Sequence, residues 1–387
     1  AIISNNPGIT KLGVAGMALM SLQDLPLSAL SNLQWLDVSD TGLIDIDGIS
    51  TLPSLQAFYV ANNKLPDISD LNGFPQLREL DVSGNRIFDI NPLSAMYQLS
   101  VLNLSDNAGI DINLVLPLLR QNPNLQVLGL GAIAINDLSV LPILAPDSQL
   151  RVLDLSNTRI DDIELLRTLV ELRELNLSGN KLDNIFALDS LTALEKLNIS
   201  DTTISDIAPL SLLPMLSELN ISDNNIVDVA PLYSHTQLLD LNLSGNSAID
   251  FNLLQPIFNN NLGLLSLGLG DIAIGTQPLY LTPESLLHTL DLRNTGIDYM
   301  PPLPSTIKHL DLSDNKLQEF ILPPEVQLSQ LDISGNPLQY IDLPSLLNAR
   351  GLTELNLSYV DGINLPDLHA IISNNPGITK LGVAGMA

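Results

Sequence analysis

Apolar and polar residues alternate in short segments that recur along the whole chain. The segment LRELDVSGNRI at Leu77–Ile87 recurs as LRVLDLSNTRI from Leu150 and as LRELNLSGNKL from Leu172. Related copies start at Leu216 and Leu328, and 22 residues is the commonest spacing. Two leucines that flank one polar residue predict a short strand with one face in the core and the other in water. A repeat of this length predicts a solenoid built from many similar coils.

An asparagine follows the strand in many of the repeats. It must turn the chain away from the strand, and its side-chain amide can pair with backbone groups of neighbouring coils that would otherwise be buried without partners. These predicted turn asparagines are Asn63, Asn85, Asn107, Asn180, Asn224, Asn246, Asn315 and Asn336. In other repeats the same position holds Thr41, Thr158, Thr202 or Thr295. Return segments such as IFDINPL and ISDIAPL contain Asp and Pro, which suit a short helical or 3₁₀ turn.

Three stretches of the chain are longer than the commonest repeat and predict a fuller return helix. They start at Asn107, Asn246 and Val360. Each is followed by a glycine-rich unit in which the turn asparagine is replaced, as in GLGAIAI and GLGDIAI. Together these features predict three super-repeats, at about 9–124, 125–263 and 264–377, within a single continuous solenoid of residues 1–387.

These segments resemble the leucine-rich repeat family across essentially the whole chain. The 22-residue units, with Asp–Ile after the turn, look like the bacterial internalin-type subclass, and the longer stretches are similar to ribonuclease-inhibitor-like repeats. The resemblance implies an α/β solenoid of about 16 coils, a leucine-rich repeat superhelix with a concave parallel β-sheet and short helical or 3₁₀ convex returns. It also implies binding or scaffolding rather than catalysis, and an extracellular or cell-surface location.

One segment of eighteen residues, AIISNNPGITKLGVAGMA, occurs twice without a mismatch, at 1–18 and at 370–387. The other repeats share only their motif, so an identical copy indicates a period of 369 residues (370 − 1). Neither end shows the polar outer face that terminal solenoid repeats need. These features predict a segment of a tandem or head-to-tail self-assembling fibre whose partners are copies of itself. A covalent tandem, a non-covalent polymer and an engineered sequence all fit that period, and the alternative is an internalin-like adhesin that binds a protein ligand on its concave sheet.

The net charge of the chain excludes some classes of binding partner. With 43 acidic and 16 basic residues, the formal net charge is −27. A field of this sign repels nucleic-acid phosphates and anionic membrane surfaces. No apolar run is long enough to span a bilayer. The absence of cysteine excludes disulfides, thiolate metal sites and a cysteine nucleophile.

A second set of polar residues lies between the two strand leucines, on the predicted concave face. This concave ladder comprises Asp37, Asp81, Asn103, Asp154, Asn176, Asn198, Asn220, Asn242, Asp291, Asp311, Asp332 and Asn356. Stacked amides of this kind can hydrogen-bond along the solenoid axis and stiffen the sheet. Trp35 and Tyr59 occur on the same face and are the candidate contacts to a protein partner, since aromatic residues are enriched in binding hot spots. They could equally be isolated surface aromatics.

Part of the concave ladder is a candidate cation site. Asp291, Asp311 and Asp332 occupy consecutive rungs, which places their carboxylates about 5 Å apart. Like charges this close destabilise a sheet unless they are neutralised, so calcium could bridge these rungs with help from Asp314. The alternative is a solvated acidic face, and we expect no other cofactor.

The sequence offers little for catalysis. Its four histidines, His235, His288, His309 and His369, are scattered over separate coils with no partnered nucleophile. The glycines of GLGAIAI lack the helix-opening pattern that dinucleotide binding requires. We therefore expect no enzymatic activity.

Overall fold

The computed structural model describes residues 6–144, 147–281, 285–360 and 363–385. It divides into two compact units, Ala1–Leu194 and Glu195–Ala387.

The first unit contains a parallel sheet in which each strand pairs with the next one along the chain. Its strands are β1 (Lys11–Gly13), β2 (Trp35–Asp37), β3 (Ala57–Tyr59), β4 (Glu79–Asp81), β5 (Val101–Asn103), β6 (Val127–Gly129), β7 (Val152–Asp154) and β8 (Glu174–Asn176). The chain returns between strands through helix α1 (Ile112–Gln121) and through 3₁₀ segments at Leu22–Asp24, Leu27–Ala29, Ile49–Thr51, Ser69–Gly73, Asn91–Leu93, Leu138–Val140, Glu164–Thr168 and Phe186–Ser190.

The second unit repeats this arrangement. Its strands are β9 (Lys196–Asn198), β10 (Glu218–Asn220), β11 (Asp240–Asn242), β12 (Ser266–Gly268), β13 (Thr289–Asp291), β14 (His309–Asp311), β15 (Glu319–Phe320), β16 (Gln330–Asp332), β17 (Tyr340–Ile341), β18 (Glu354–Asn356) and β19 (Lys380–Gly382). All but β15 and β17 pair in parallel in one sheet, and β15 pairs with β17 in a separate two-stranded sheet. The returns are α2 (Gln255–Asn260), α3 (Leu343–Leu347), α4 (Leu365–Asn374) and 3₁₀ segments at Ala208–Leu212, Ala230–Ser234 and Phe251–Leu253.

Each coil directs its aliphatic residues into a shared core. In the coil that contains β2, Leu36 points inward from the middle of the strand and is fully buried. The other fully buried or nearly fully buried apolar residues of this coil are Leu33, Val38, Leu43, Ile46, Ile49 and Leu52. Burial of one such side chain contributes about 1.5–3 kcal/mol. The first and third residues of each three-residue strand therefore lie on the opposite surface, which we call the outer sheet face.

Aspartates start many of the 3₁₀ returns. The Oδ1 atoms of Asp89, Asp206 and Asp228 accept hydrogen bonds from the backbone N–H two residues later, at 2.9, 2.9 and 2.8 Å. This contact satisfies a donor that a helix start leaves without a partner. It explains the recurring I-x-D-I pattern and, together with the parallel sheets, confirms the predicted α/β leucine-rich solenoid class.

The residue before the turn asparagine takes a left-handed backbone conformation. Gly84, Asp106 and Asp223 have φ values of 61°, 57° and 54°. Gly, Asn and Asp tolerate this region best, which explains the recurring S-G-N and S-D-N sequences. Ala132 (φ 61°) and Tyr359 (φ 59°) occupy the same position without that tolerance.

The longer return segments contain α-helices, as their lengths predict. Helices α1, α2 and α4 lie in the stretches that start at Asn107, Asn246 and Val360. Helix α3 and the β15–β17 pair were not predicted. The segments KLQEF and PLQYI lack the aspartate that starts a 3₁₀ return two residues later, and their Phe320 and Ile341 are buried in an extended conformation that suits aromatic and β-branched residues.

Candidate functional site

The turn asparagines connect successive coils through their side-chain amides. Asn85 Oδ1 accepts from Leu65 N at 3.0 Å, while its Nδ2 donates to the carbonyls of Val60 and Val82 at 3.0 and 2.9 Å. The structure places Asn63, Asn107, Asn180, Asn224, Asn246, Asn315 and Asn336 in the same arrangement. Their amides pair with backbone N–H and C=O groups that have no partner in a strand or helix. They therefore fix the backbone on the buried side of the outer sheet face.

Threonine at the turn position supplements this arrangement. Thr41 Oγ1 donates to Val38 O at 2.7 Å and lies 3.1 Å from Oδ1 of Asn63 in the next coil. Thr158, Thr202 and Thr295 make the equivalent pair of contacts. A threonine coil thus depends on the asparagine of the coil that follows it.

Three buried asparagines at the ends of the longer helices were missed by the sequence analysis. Asn122 Oδ1 accepts from Leu99 N at 2.8 Å, and its Nδ2 donates to Met96 O at 2.8 Å. Asn261 and Asn375 also donate to carbonyls of the preceding coil. The signal was present, since each of these asparagines stands three residues before the first apolar residue of a coil, in QNPNL, NNNLGL and NNPGI.

Every residue of the predicted concave ladder lies at the third strand position of the outer sheet face. Each accepts a hydrogen bond at its Oδ1 atom from the backbone N–H two residues later, over 2.9 to 3.1 Å, as Asn220 does from Ser222. That N–H points away from the neighbouring strand, so the side chain supplies its partner. The twelve residues are Asp37, Asp81, Asn103, Asp154, Asn176, Asn198, Asn220, Asn242, Asp291, Asp311, Asp332 and Asn356.

Contacts along this ladder differ from the amide stacking that the sequence suggested. Within the described residues, Asn103 donates to Asp81 at 3.1 Å and Asn356 to Asp332 at 2.8 Å. The run Asn176, Asn198, Asn220 and Asn242 uses its oxygens for the local turn instead. These side chains therefore order the strand ends more than they bond to one another.

Glycine interrupts the ladder at β6 and β12. A Cβ atom at Gly129 would lie 2.7 Å from Asn103 Cγ and 2.8 Å from Ser105 Oγ, closer than side chains can pack. Ser105 Oγ accepts from Gly131 N at 2.9 Å and so replaces the local acceptor that glycine lacks. It also donates to Asp154 Oδ2 at 3.1 Å. This bond connects the coil of β5 with the coil of β7, across the coil of β6 that contains Gly129.

The carboxylates proposed for calcium are already hydrogen-bonded. Asp311 and Asp332 each accept from the serine two residues later, and Asp291 forms an ion pair with Arg293 at 3.1 Å. No group of three or more acidic or histidine side chains in the described residues is arranged to hold a metal ion. Asp314 lies beyond the strand in a left-handed turn. Burial is the main cause that raises the pKa of Asp311, and the charges of Asp332 and Asp291 raise it further.

A groove of about 490 Å³ crosses the outer sheet face of the second unit. It extends over β13, β14, β16, β18 and β19. Its polar wall includes Thr289, His309, Gln330, Glu354 and Lys380. Two of these residues are already paired within the groove, since Lys380 Nζ lies 2.9 Å from Glu354 Oε1. Asp311 and Asp332 also line the groove, and in the described residues neither forms an ion pair, so the groove offers polar contacts and negative charge.

The two predicted aromatic contacts lie together in the first unit. The ring centroids of Trp35 and Tyr59 are 5.7 Å apart, with the planes tilted by 46°. Tyr59 Oη donates to Glu79 Oε2 at 2.5 Å. Burial of the phenol, followed by the bond to Glu79, raises the pKa of Tyr59 above its ordinary value. The structure thus joins Trp35 and Tyr59 in one patch on partly exposed positions.

The histidines do not converge on one site. His309 Nδ1 lies 3.2 Å from Thr289 Oγ1, whereas His288 Nδ1 contacts Leu286 O at 2.6 Å. His235 is buried, and burial lowers its pKa. His369 lies on helix α4. The absence of enzymatic activity stays a prediction.

Comparison with known families agrees with this geometry. Models described as "Leucine Rich repeats (2 copies)" match residues 31–73, 148–190 and 170–212, and a "Leucine Rich Repeat" model matches 306–327. The chain contains leucine-rich repeats. By sequence, no curated protein matches it significantly.

Solved structures of other leucine-rich repeat proteins share the fold at about one-fifth sequence identity. The TLR13–ssRNA13 complex is 20% identical, with a TM-score of 0.58 over 97% of this chain and 59% of that one. The ectodomain of the plant receptor kinase GASSHO1/SCHENGEN3 from Arabidopsis thaliana is 20% identical (TM-score 0.54, 93% and 51%). The functional domain of InlJ from Listeria monocytogenes is 20% identical (TM-score 0.50, 96% and 68%). This leucine-rich repeat protein thus spans about half the length of the plant receptor ectodomain, and its expected likeness to internalins is confirmed for the fold.

None of the helices in the described ranges has the length and apolar content that a membrane crossing requires.

Proposed function

We propose that this leucine-rich repeat protein is a non-enzymatic interaction module that binds a protein ligand on its outer sheet face, at the cell surface or outside the cell. The observation that carries the proposal is the groove across five strands of the second unit. The turn asparagines fix the backbone beneath the groove. The strands that line it are therefore ordered before a ligand binds, and little conformational entropy is lost on binding.

The structural relatives support this assignment. The plant receptor ectodomain was solved in complex with CASPARIAN STRIP INTEGRITY FACTOR 2, and another relative in complex with a single-stranded RNA. A net charge of −27 disfavours nucleic acid here, because phosphates would be repelled. A protein ligand is therefore the better match for this chain.

The experiment compares variants of the groove with variants of a return segment. Thr289→Arg and Gln330→Arg add bulk to the groove wall, and Thr51→Arg and Ser211→Arg place the same side chain on exposed return positions. Each protein is tested by surface plasmon resonance against a panel of secreted and cell-surface ectodomains. We expect a saturable partner that binds the groove variants at least about tenfold more weakly, a difference of about 1.4 kcal/mol, and the return variants without change. A partner lost only with the return variants would contradict the proposal.

A second candidate function is assembly into a tandem or head-to-tail fibre. The two copies of the eighteen-residue segment form the same strand, since Lys11–Gly13 is β1 and Lys380–Gly382 is β19. An identical strand at two places in one chain allows one copy to substitute for the other in pairing. Negative-stain electron microscopy and analytical ultracentrifugation of the 387-residue chain test this candidate. Filaments with one repeating unit are expected, and single particles at all concentrations would count against it.

A further inference from the structure

The aromatic patch on the first unit differs in composition from the groove of the second, whose lining contains no Trp, Tyr or Phe. Three carboxylates surround Trp35 and Tyr59 on neighbouring strands: Asp37, Glu79 and Asp81. Within the described residues, none of the three lies within ion-pair distance of a Lys, Arg or His side chain. In the groove, Asp291 and Glu354 are paired with Arg293 and Lys380, whereas Asp311 and Asp332 lie beside no Trp, Tyr or Phe ring of the groove lining.

Glu79 is fixed beside the aromatic rings. Its Oε2 accepts the phenol proton of Tyr59, and its Oε1 has no protein donor among the described residues. The same bond holds the Tyr59 ring at 5.7 Å from Trp35. Trp35 in turn lies over Gly13, where a Cβ atom would be 3.4 Å from the ring. The patch therefore combines two ordered aromatic rings with carboxylate oxygens that remain available.

This combination matches one class of ligand group. A guanidinium ion stacks on aromatic rings through cation–π attraction and donates several hydrogen bonds to carboxylates in the same plane. Charge-assisted bonds of this kind are stronger than neutral ones. An ammonium ion makes the first contact but lacks the planar fork.

We propose that the patch formed by Trp35, Tyr59 and Glu79 captures an arginine side chain presented by a protein partner. This inference rests on the proposed use of the outer sheet face for binding and names the chemistry that one part of this face recognises. Lys11 is the nearest basic residue in register, opposite Trp35 on β1, and it is exposed. It competes with the incoming arginine for the same negative field.

The single tryptophan of the chain reports directly on this patch. A blocked tri-arginine peptide is titrated into the full chain at low salt, and Trp35 fluorescence is followed together with calorimetry. A tri-citrulline peptide of the same shape is the neutral control, and a tri-lysine peptide tests the need for a planar fork. We expect saturable binding of tri-arginine that is about tenfold tighter than that of tri-citrulline, with tri-lysine between them.

Three variants locate the site. Glu79→Gln removes charge with little change of shape and is expected to weaken tri-arginine binding roughly threefold or more. Lys11→Met removes the competing cation and is expected to strengthen it. Glu325→Gln, the same substitution at an exposed position outside both the patch and the groove, is the matched control and should leave the affinity unchanged. Thermal melts followed by circular dichroism show that the variants remain folded.

Several outcomes would overturn the arginine assignment. These are equal affinity for tri-arginine and tri-citrulline, equal loss in Glu79→Gln and Glu325→Gln, or no binding in either fluorescence or calorimetry. If the groove variants still abolish partner binding in that case, the arginine assignment alone is wrong. If the groove and return variants bind the protein partner equally well while tri-arginine still binds the patch, the proposed function is wrong and the arginine assignment stands.

Discussion

Truncation of one turn asparagine isolates the contribution of the buried amides. The chain provides a matched pair, because Asn224 is buried at the turn position and the adjacent Asn225 is exposed. Asn224 Oδ1 accepts from the backbone N–H groups of Thr202 and Ile204, at 3.1 and 3.2 Å. Asn225 instead donates a single bond to the Thr203 carbonyl at 3.0 Å.

The magnitude of the effect can be worked out from these bonds. Asn224→Ala leaves two backbone N–H groups without acceptors, and the carbonyls of Ile199 and Ile221 lose the donor that bonds to them at 2.8 and 3.1 Å. A buried donor without a partner costs about 1–3 kcal/mol. We therefore expect Asn224→Ala to lower the free energy of unfolding by about 3–4 kcal/mol. Asn225→Ala should lower it by less than about 1 kcal/mol.

Urea denaturation measures the global effect, and the slope of the transition shows whether the repeats still unfold together. Native-state hydrogen exchange adds a local measurement, since the amides of Thr202 and Ile204 should lose protection in Asn224→Ala alone. A difference of less than about 0.5 kcal/mol between the two variants, with both amides still protected, would refute the role assigned to the turn asparagines.

Three further predictions concern single residues. Gly129→Ala should destabilise by about 1–2 kcal/mol in urea denaturation because of the contacts at 2.7 and 2.8 Å, whereas Gly73→Ala, with open space around it, should change stability by less than about 0.5 kcal/mol. Stability should fall as the pH drops below about 6.5, because burial lowers the pKa of His235 and the unfolded chain then binds the proton more tightly. His235→Gln should flatten this pH dependence in melts between about pH 5 and 7, and an unchanged profile would contradict it. Ala132→Gly should raise stability by about 0.5–1 kcal/mol at its φ of 61°, and a lower melting temperature would exclude strain there.

The sequence predicted the elements that every coil repeats. The Leu36-type core positions, the strands and the Asp-started returns recur so often that their roles follow from period and chemistry alone. The role of the turn asparagines could be predicted for the same reason. A polar residue that recurs at a buried position must form hydrogen bonds with backbone groups of the adjacent coils.

The features that the sequence could not predict depend on contacts between different coils. Ser105 reaches Asp154 only because Gly129 and Gly131 lie between them, and a single-coil motif contains no sign of that. Trp35 and Tyr59 stand 24 residues apart and meet through strand register, with Glu79 added from a third strand. The aromatic patch is therefore a property of pairing rather than of any one repeat.

The direction of the turn-asparagine bonds has a consequence for synthesis of the chain. Asn85 supplies groups in the coil before it, at Leu65 and Val60, so each turn is completed by residues that are made later. A growing chain on the ribosome consequently carries one unfinished turn at its newest coil. If translation pauses midway, the backbone groups of that turn stay hydrated until translation resumes and the next coil emerges.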